Sequence, residues 1–116
     1  MEHHEQAALV DWAKRSKQLY PGLELLYANP LGGKRAWKTA RALKREGVRA
    51  GIPDLTLPVA RGEYHGMFIE MKFGANKPTD SQWWWIRNLR REGYKAIVCW
   101  SFEEARDAIV EYLGGE

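Results

Sequence analysis

The stretch that most limits what this chain can become is 51–72, Gly-Ile-Pro-Asp-Leu-Thr-Leu-Pro-Val-Ala-Arg-Gly-Glu-Tyr-His-Gly-Met-Phe-Ile-Glu-Met-Lys. Two alternating runs, 54–59 and 67–73, flank a turn-rich break at 61–66. Alternation marks strands whose two faces differ. In the first run Leu55, Leu57 and Val59 share one face, and Asp54 and Thr56 the other. In the second, Met67, Ile69, Met71 and Phe73 share a face, with Phe68, Glu70 and Lys72 opposite. So short a separation makes an antiparallel hairpin the simplest connection.

A hairpin symmetric about Gly62 sets Asp54 directly across from Glu70 on one face, with Cβ atoms roughly 5 Å apart. Facing carboxylates repel, so a strand pair chosen for stability alone would avoid them. A divalent cation between them removes the conflict, because hard cations such as Mg²⁺ take carboxylate oxygens. Lys72, two residues past Glu70, points into the same place. Two acids that hold a metal beside one cation suit hydrolysis of a phosphodiester, in which a metal activates water and positive charge stabilises the transition state. The plainer alternative is a solvated surface hairpin with a Glu70–Lys72 pair and an unrelated Asp54. Against it stands the setting of Glu70 among Phe68, Ile69 and Met71, where an uncompensated charge costs free energy.

These residues resemble a known signature. Gly51-Ile-Pro-Asp54 followed by Ile69-Glu70-Met71-Lys72 is similar to that of the PD-(D/E)XK nucleases, and with Gln82 downstream it resembles the VRR-NUC family within them. PD-(D/E)XK alone is a weak motif. Its combination with an early Glu/Gln helix (Glu2-His-His-Glu-Gln6) and Asn29-Pro-Leu-Gly-Gly33 is far more specific and extends the resemblance over nearly the whole chain. It implies a restriction-endonuclease-like α/β core and a metal-dependent DNA endonuclease using Mg²⁺ or Mn²⁺. Asp54, Glu70 and the Met71 backbone carbonyl would be ligands, joined by Glu2 or Glu5 from the first helix. Lys72 would position and help deprotonate water, with support from Gln82. Stand-alone members resemble Holliday-junction resolvases acting as homodimers. A flap or nicking nuclease, or a non-catalytic DNA-binding module, is the alternative.

With 116 residues the chain is expected to form one domain spanning 1–116, and 45% apolar residues with six Trp are those of a globular protein. No run approaches the ~18 apolar residues of a membrane span. The polar, acidic start does not read as a secretion signal, and a lone Cys99 in an apolar run reads as a buried free thiol. A reducing compartment fits, the cytoplasm of a bacterial cell or phage-infected host. The net charge of +3 is unevenly spread. Lys34, Arg35, Lys38, Arg41, Lys44, Arg45 and Arg49 face only Glu46 over residues 34–49, which points to a polyanion such as branched DNA or else to a solvated helix face.

The remaining pattern reads α-β-α-β-β-α-β-α, a mixed central sheet flanked by helices. Residues 3–20 predict an amphipathic helix bearing Leu9, Trp12, Ala13, Ser16 and Leu19 or Tyr20, stopped by Pro21-Gly22. Residues 23–28 predict a strand. The loop 29–35, with Asn29, Gly32 and Gly33, brings backbone amides toward a phosphate or serves only as a connector. A basic helix follows over 36–46, capped by Gly47. Thr79 or Asp80 caps a helix over 81–92 whose stripe is Trp85, Ile86 and Leu89. Trp83 and Trp84 fall partly outside that stripe, which suggests a surface for a second subunit or for nucleic-acid bases. Residues 94–100 predict a central strand and 102–113 a final helix capped by Ser101.

Overall fold

The computed structural model describes residues 2–30 and 45–114, the side chains of Glu2 and His3 excepted. Helix α1 (Glu2–Ser16) leads through a 3-10 turn (Leu23–Leu25) to strand β1 (Tyr27–Ala28). There follow β2 (Leu55–Leu57), β3 (Met67–Met71), helix α2 (Asp80–Arg91), β4 (Lys95–Cys99) and helix α3 (Phe102–Tyr112). The sheet runs β1-β2-β3-β4, with β2 antiparallel to both neighbours and β3 parallel to β4. Parallel strands need a crossover, and α2 supplies it. The predicted helix over 36–46 lies outside the described residues except at its end, where Arg45 is helical and Gly47 takes φ +99°.

The hairpin register is the one expected from symmetry: Leu55 pairs with Ile69, Thr56 with Phe68 and Leu57 with Met67. At the tip, Arg61 and Tyr64 exchange backbone hydrogen bonds of 3.1 and 2.9 Å across Gly62, whose φ is +56°. The chain is one residue longer from Leu57 to Arg61 than from Tyr64 to Met67. A tight turn absorbs the extra residue, with Val59 N–H donating to Leu57 O at 2.8 Å. Pro58, just before, has no N–H to extend the ladder.

One face of the sheet, Leu55, Leu57, Met67, Ile69 and Met71, is buried against Leu9 and Ala13 of α1 and Ala105, Ile109 and Tyr112 of α3. The reverse face carries Thr56, Phe68 and Glu70, and α2 packs on it with Ile86 fully buried. The Tyr112 hydroxyl donates to Val59 O at 2.6 Å and ties α3 to the hairpin.

Four local expectations are corrected. Helix α1 stops at Ser16, and Leu19 is 73% exposed while Tyr20 turns back onto Trp12 with ring centroids 6.1 Å apart. Most of the predicted first strand is a 3-10 turn, because Gly22 enters it at φ +101° and its N–H is taken by Glu24 Oε1 at 3.1 Å. Strand β4 lies at the sheet edge, not its centre; its apolar run reflects helices on both faces, and its outer carbonyl at Ala96 accepts from Arg90 Nε at 2.9 Å. Phe73 falls beyond the end of β3 and is exposed.

Cys99 is buried, as expected, and burial together with the nearby Glu104 charge pushes its thiol up from 9.0 to about 12. The thiolate is therefore absent near neutral pH, and any stability linked to this proton is present below pH 9 and lost as pH rises toward 12. Alkylation by iodoacetamide at pH 8 should be at least about tenfold slower in the native protein than in denaturant. Equal rates would contradict this packing.

Candidate functional site

The site is assembled where β2 begins and β3 ends. Extending the observed register by one residue sets Asp54 opposite Glu70. Met71 N–H donates to Asp54 Oδ2 at 2.8 Å, and Asn29 N–H donates to Asp54 O at 2.7 Å. Asp54 thus turns its carbonyl to β1 and its carboxylate to β3. Lys72 N–H donates to Cys99 O at 2.8 Å, so even-numbered amides of β3 point to β4 and odd-numbered ones to β2. Asp54 and Glu70 are therefore a non-hydrogen-bonded pair, the kind whose facing side chains lie closest. A residue's N–H and C=O leave an extended strand on the same edge, so the Met71 carbonyl is also directed toward the Asp54 side.

Asp54, Glu70 and Lys72 are 3%, 1% and 8% exposed, and Thr56 on the same face is 8% exposed. A solvated surface hairpin is ruled out by that burial. The Lys72 ammonium lies 3.2 Å from Glu70 Oε2. Each buried ion carries a desolvation penalty of several kcal/mol. The donor set fits a hard divalent cation: two carboxylates and a backbone carbonyl, without a soft ligand. Among the described residues no cluster of three or more His, Cys, Asp or Glu is present. A third carboxylate would have to come from a side chain outside that description, as Glu2 is.

Glu5 has other work. Its Oε1 accepts from Phe102 N–H at 2.6 Å, capping the head of α3 with a carboxylate where the helix dipole favours one. Ser101 Oγ caps the same helix by accepting from Glu104 N–H at 3.1 Å. The Glu5 contact also fixes the first turn of α1 at the end of the sheet where β3 and β4 finish. Gln82 closes a capping box at the start of α2, its Oε1 accepting from Thr79 N–H at 2.9 Å and its N–H donating to Thr79 Oγ1 at 3.1 Å. The contacts of Gln82 seen here are those of a first-turn residue.

How the segment before Asp54 is held leaves no signal in local residue order. Trp85 Nε1 donates to Ala50 O at 3.0 Å, and Gly51 sits at φ +90° against α2. A Cβ at Gly51 would lie 2.2 Å from Ser81 Oγ and 3.1 Å from both Ser81 O and Trp85 Cδ1. Both the backbone angle and the space demand glycine. Trp85 therefore packs on this segment and stays half-buried, while Ile86 fills the core place expected of the Trp85 stripe. Arg49 is exposed, with its guanidinium 5.1 Å from the Trp85 ring centroid and 5.9 Å from that of Trp84. Asn29 meets Asp54 directly. Gly32, Gly33, Lys34, Arg35, Lys38, Arg41 and Lys44 lie outside the described residues, and Arg45 is exposed.

The sequence model of the VRR-NUC domain matches residues 1–103. A solved structure titled "VRR_NUC domain protein" superposes with a TM-score of 0.83 at 33% identity, covering 97% of this chain and 88% of that one. No curated protein matches.

The glycine before Asp54 is open to test. Gly51→Ala should cost about 1–3 kcal/mol of unfolding free energy in a urea titration, from strain at positive φ with close contacts on α2. Gly74→Ala, at φ +61° with open space around its Cβ, should cost less. Equal losses would show that contact with α2 does not constrain this segment.

Proposed function

The chain belongs to the VRR-NUC family of nuclease domains, and on that footing we propose that it is a metal-dependent endonuclease hydrolysing DNA phosphodiester bonds, with branched DNA as its preferred substrate. The observation that carries this reading is the buried Asp54–Glu70 pair with Lys72 on the same face. Such a trio is costly as architecture and useful as chemistry.

Asp54, Glu70 and the Met71 carbonyl would hold Mg²⁺ or Mn²⁺, joined from α1 by Glu2 or by Glu5, whose Oε1 accepts from Phe102 N–H. A divalent ion held by them would supply a lowered pKa for bound water and a counter-charge to the phosphoryl oxygens. Lys72 would orient the attacking water and offset the negative charge that builds on the phosphoryl oxygens. Burial strengthens both effects by excluding competing solvent. Asn29, bonded to Asp54, starts the loop toward Gly32 and Gly33, whose amides and the basic residues Lys34, Arg35, Lys38, Arg41, Lys44, Arg45 and Arg49 would hold the phosphate backbone. A homodimer is expected because paired incisions in a four-way junction require two sites.

Among the described residues no helix is long and apolar enough to cross a membrane.

Asp54→Ala and Lys72→Ala should each lower cleavage of a junction substrate in Mn²⁺ at least about a hundredfold. Each should leave DNA affinity in EDTA within about threefold of the wild type. Mn²⁺ at roughly 100 times its Kd should stabilise the wild-type fold by about 2.7 kcal/mol, and Asp54→Ala by far less. Undiminished cleavage by either variant, or an equal Mn²⁺ response in Asp54→Ala, would overturn the assignment.

A further inference from the structure

Beside the site lies a surface that the cleavage chemistry leaves unused. Trp84 is 47% exposed and meets Trp85 edge to face, with ring centroids 5.2 Å apart. Arg49 covers both indoles. One and two turns along the same face of α2 stand Arg87 and Arg91, both exposed. Arg91 Nη1 donates to Asn88 Oδ1 at 3.4 Å, and Asn88 Nδ2 donates to Trp84 O at 2.8 Å, so a polar chain runs down the helix from the tryptophan. Among the described residues no ion pair is formed by Arg49, Arg87 or Arg91.

The patch is joined to the site by a short path. Trp85 holds Ala50 O, and Gly51 is wedged against Ser81 and Trp85, three residues before Asp54. Trp85 thereby joins the patch to the segment that leads into Asp54. A half-exposed indole on a helix face that also carries Arg87 and Arg91, with the Arg49 guanidinium over it, matches a π-stacking anion. A purely apolar partner would leave those charges to be desolvated without a counter-charge.

We propose that Trp84 is a stacking platform for an unpaired base of the DNA substrate, with Arg49 closing over the indole edge and Arg87 and Arg91 contacting the flanking phosphates. The proposal rests on the nuclease reading and deepens it. It assigns preference for branched DNA to a base unstacked at the branch and gripped close to the scissile phosphate, because a continuous duplex offers no free base face. Trp84 is a positioning residue: it grips the strand whose phosphate Asp54, Glu70 and Lys72 address.

The test compares full-length wild type, Trp84→Ala and Trp84→Phe on a Y-shaped DNA with single-stranded arms and on a plain duplex of the same sequence. Affinity is read by fluorescence anisotropy in EDTA, cleavage in Mn²⁺, and oligomeric state by sedimentation velocity. Trp84→Ala should weaken binding to the branched DNA roughly five- to a hundredfold, the span of one lost base–aromatic stack. It should leave duplex affinity within about twofold, and Trp84→Phe should recover most of the loss. KM on the branched substrate should rise while kcat changes little. Unchanged branched-DNA affinity in Trp84→Ala, or an equal loss on duplex, overturns the inference while wild-type cleavage leaves the nuclease reading standing. So does a change of Trp84→Ala from dimer to monomer with branched-DNA affinity unchanged, which would make the patch a subunit interface. A wild type that neither binds nor cuts either DNA overturns both readings.

Discussion

Like charge facing like charge where β2 begins and β3 ends is the constraint that the rest of the described fold has to support. Asp54 and Glu70 occupy the closest type of cross-strand pair, under nearly complete burial, with the Lys72 ammonium on the Glu70 side. Repulsion and desolvation both act against folding at this point. The fold meets that cost with rigid surroundings. Leu55, Leu57, Met67, Ile69 and Met71 lock the other face of the same strands into the core. A slip of one residue would turn all five toward the wrong side. Register is thus set by the apolar face, and the charged face has no choice but to follow.

The approach to Asp54 is held as firmly as the strand itself. Asn29 takes its carbonyl, Met71 N–H takes one carboxylate oxygen, and α2 clamps Ala50 and Gly51 through Trp85 and Ser81. At the far end of β3, Lys72 N–H reaches Cys99 on β4, and Glu5 joins α1 to the head of α3. The end of β1, β3, β4 and α2 therefore each send a contact to the segments that bear or border the charged trio. A pre-organised site needs such support, since side chains placed to within a fraction of an ångström must have their neighbours fixed first.

Much of this was legible from residue order. Alternation gave the two strands, symmetry about Gly62 gave their register, and the caps at Thr79 and Ser101 were signalled by side-chain chemistry. The failures have a common cause. Residues 23–25 are apolar enough for a strand, yet Gly22 at φ +101° and the Glu24 carboxylate turn them into a 3-10 bend. The apolar run of β4 reads as central because helices cover both its faces, and no local signal tells coverage by helices from pairing at both edges. The reach of Glu5 to Phe102 spans the length of the chain and leaves no trace in local spacing. Likewise Gly51 looks like turn punctuation, and only the position of Ser81 reveals the lack of room.

Whether the charged trio seats a divalent ion is tested most directly by diffraction from crystals soaked in Mn²⁺. An anomalous difference peak bound by carboxylate oxygens of both Asp54 and Glu70, with the Met71 carbonyl in its shell at roughly 2.2 Å, is the predicted result. Saturating Mn²⁺ with no peak between those two carboxylates, and Lys72 still against Glu70, would contradict it.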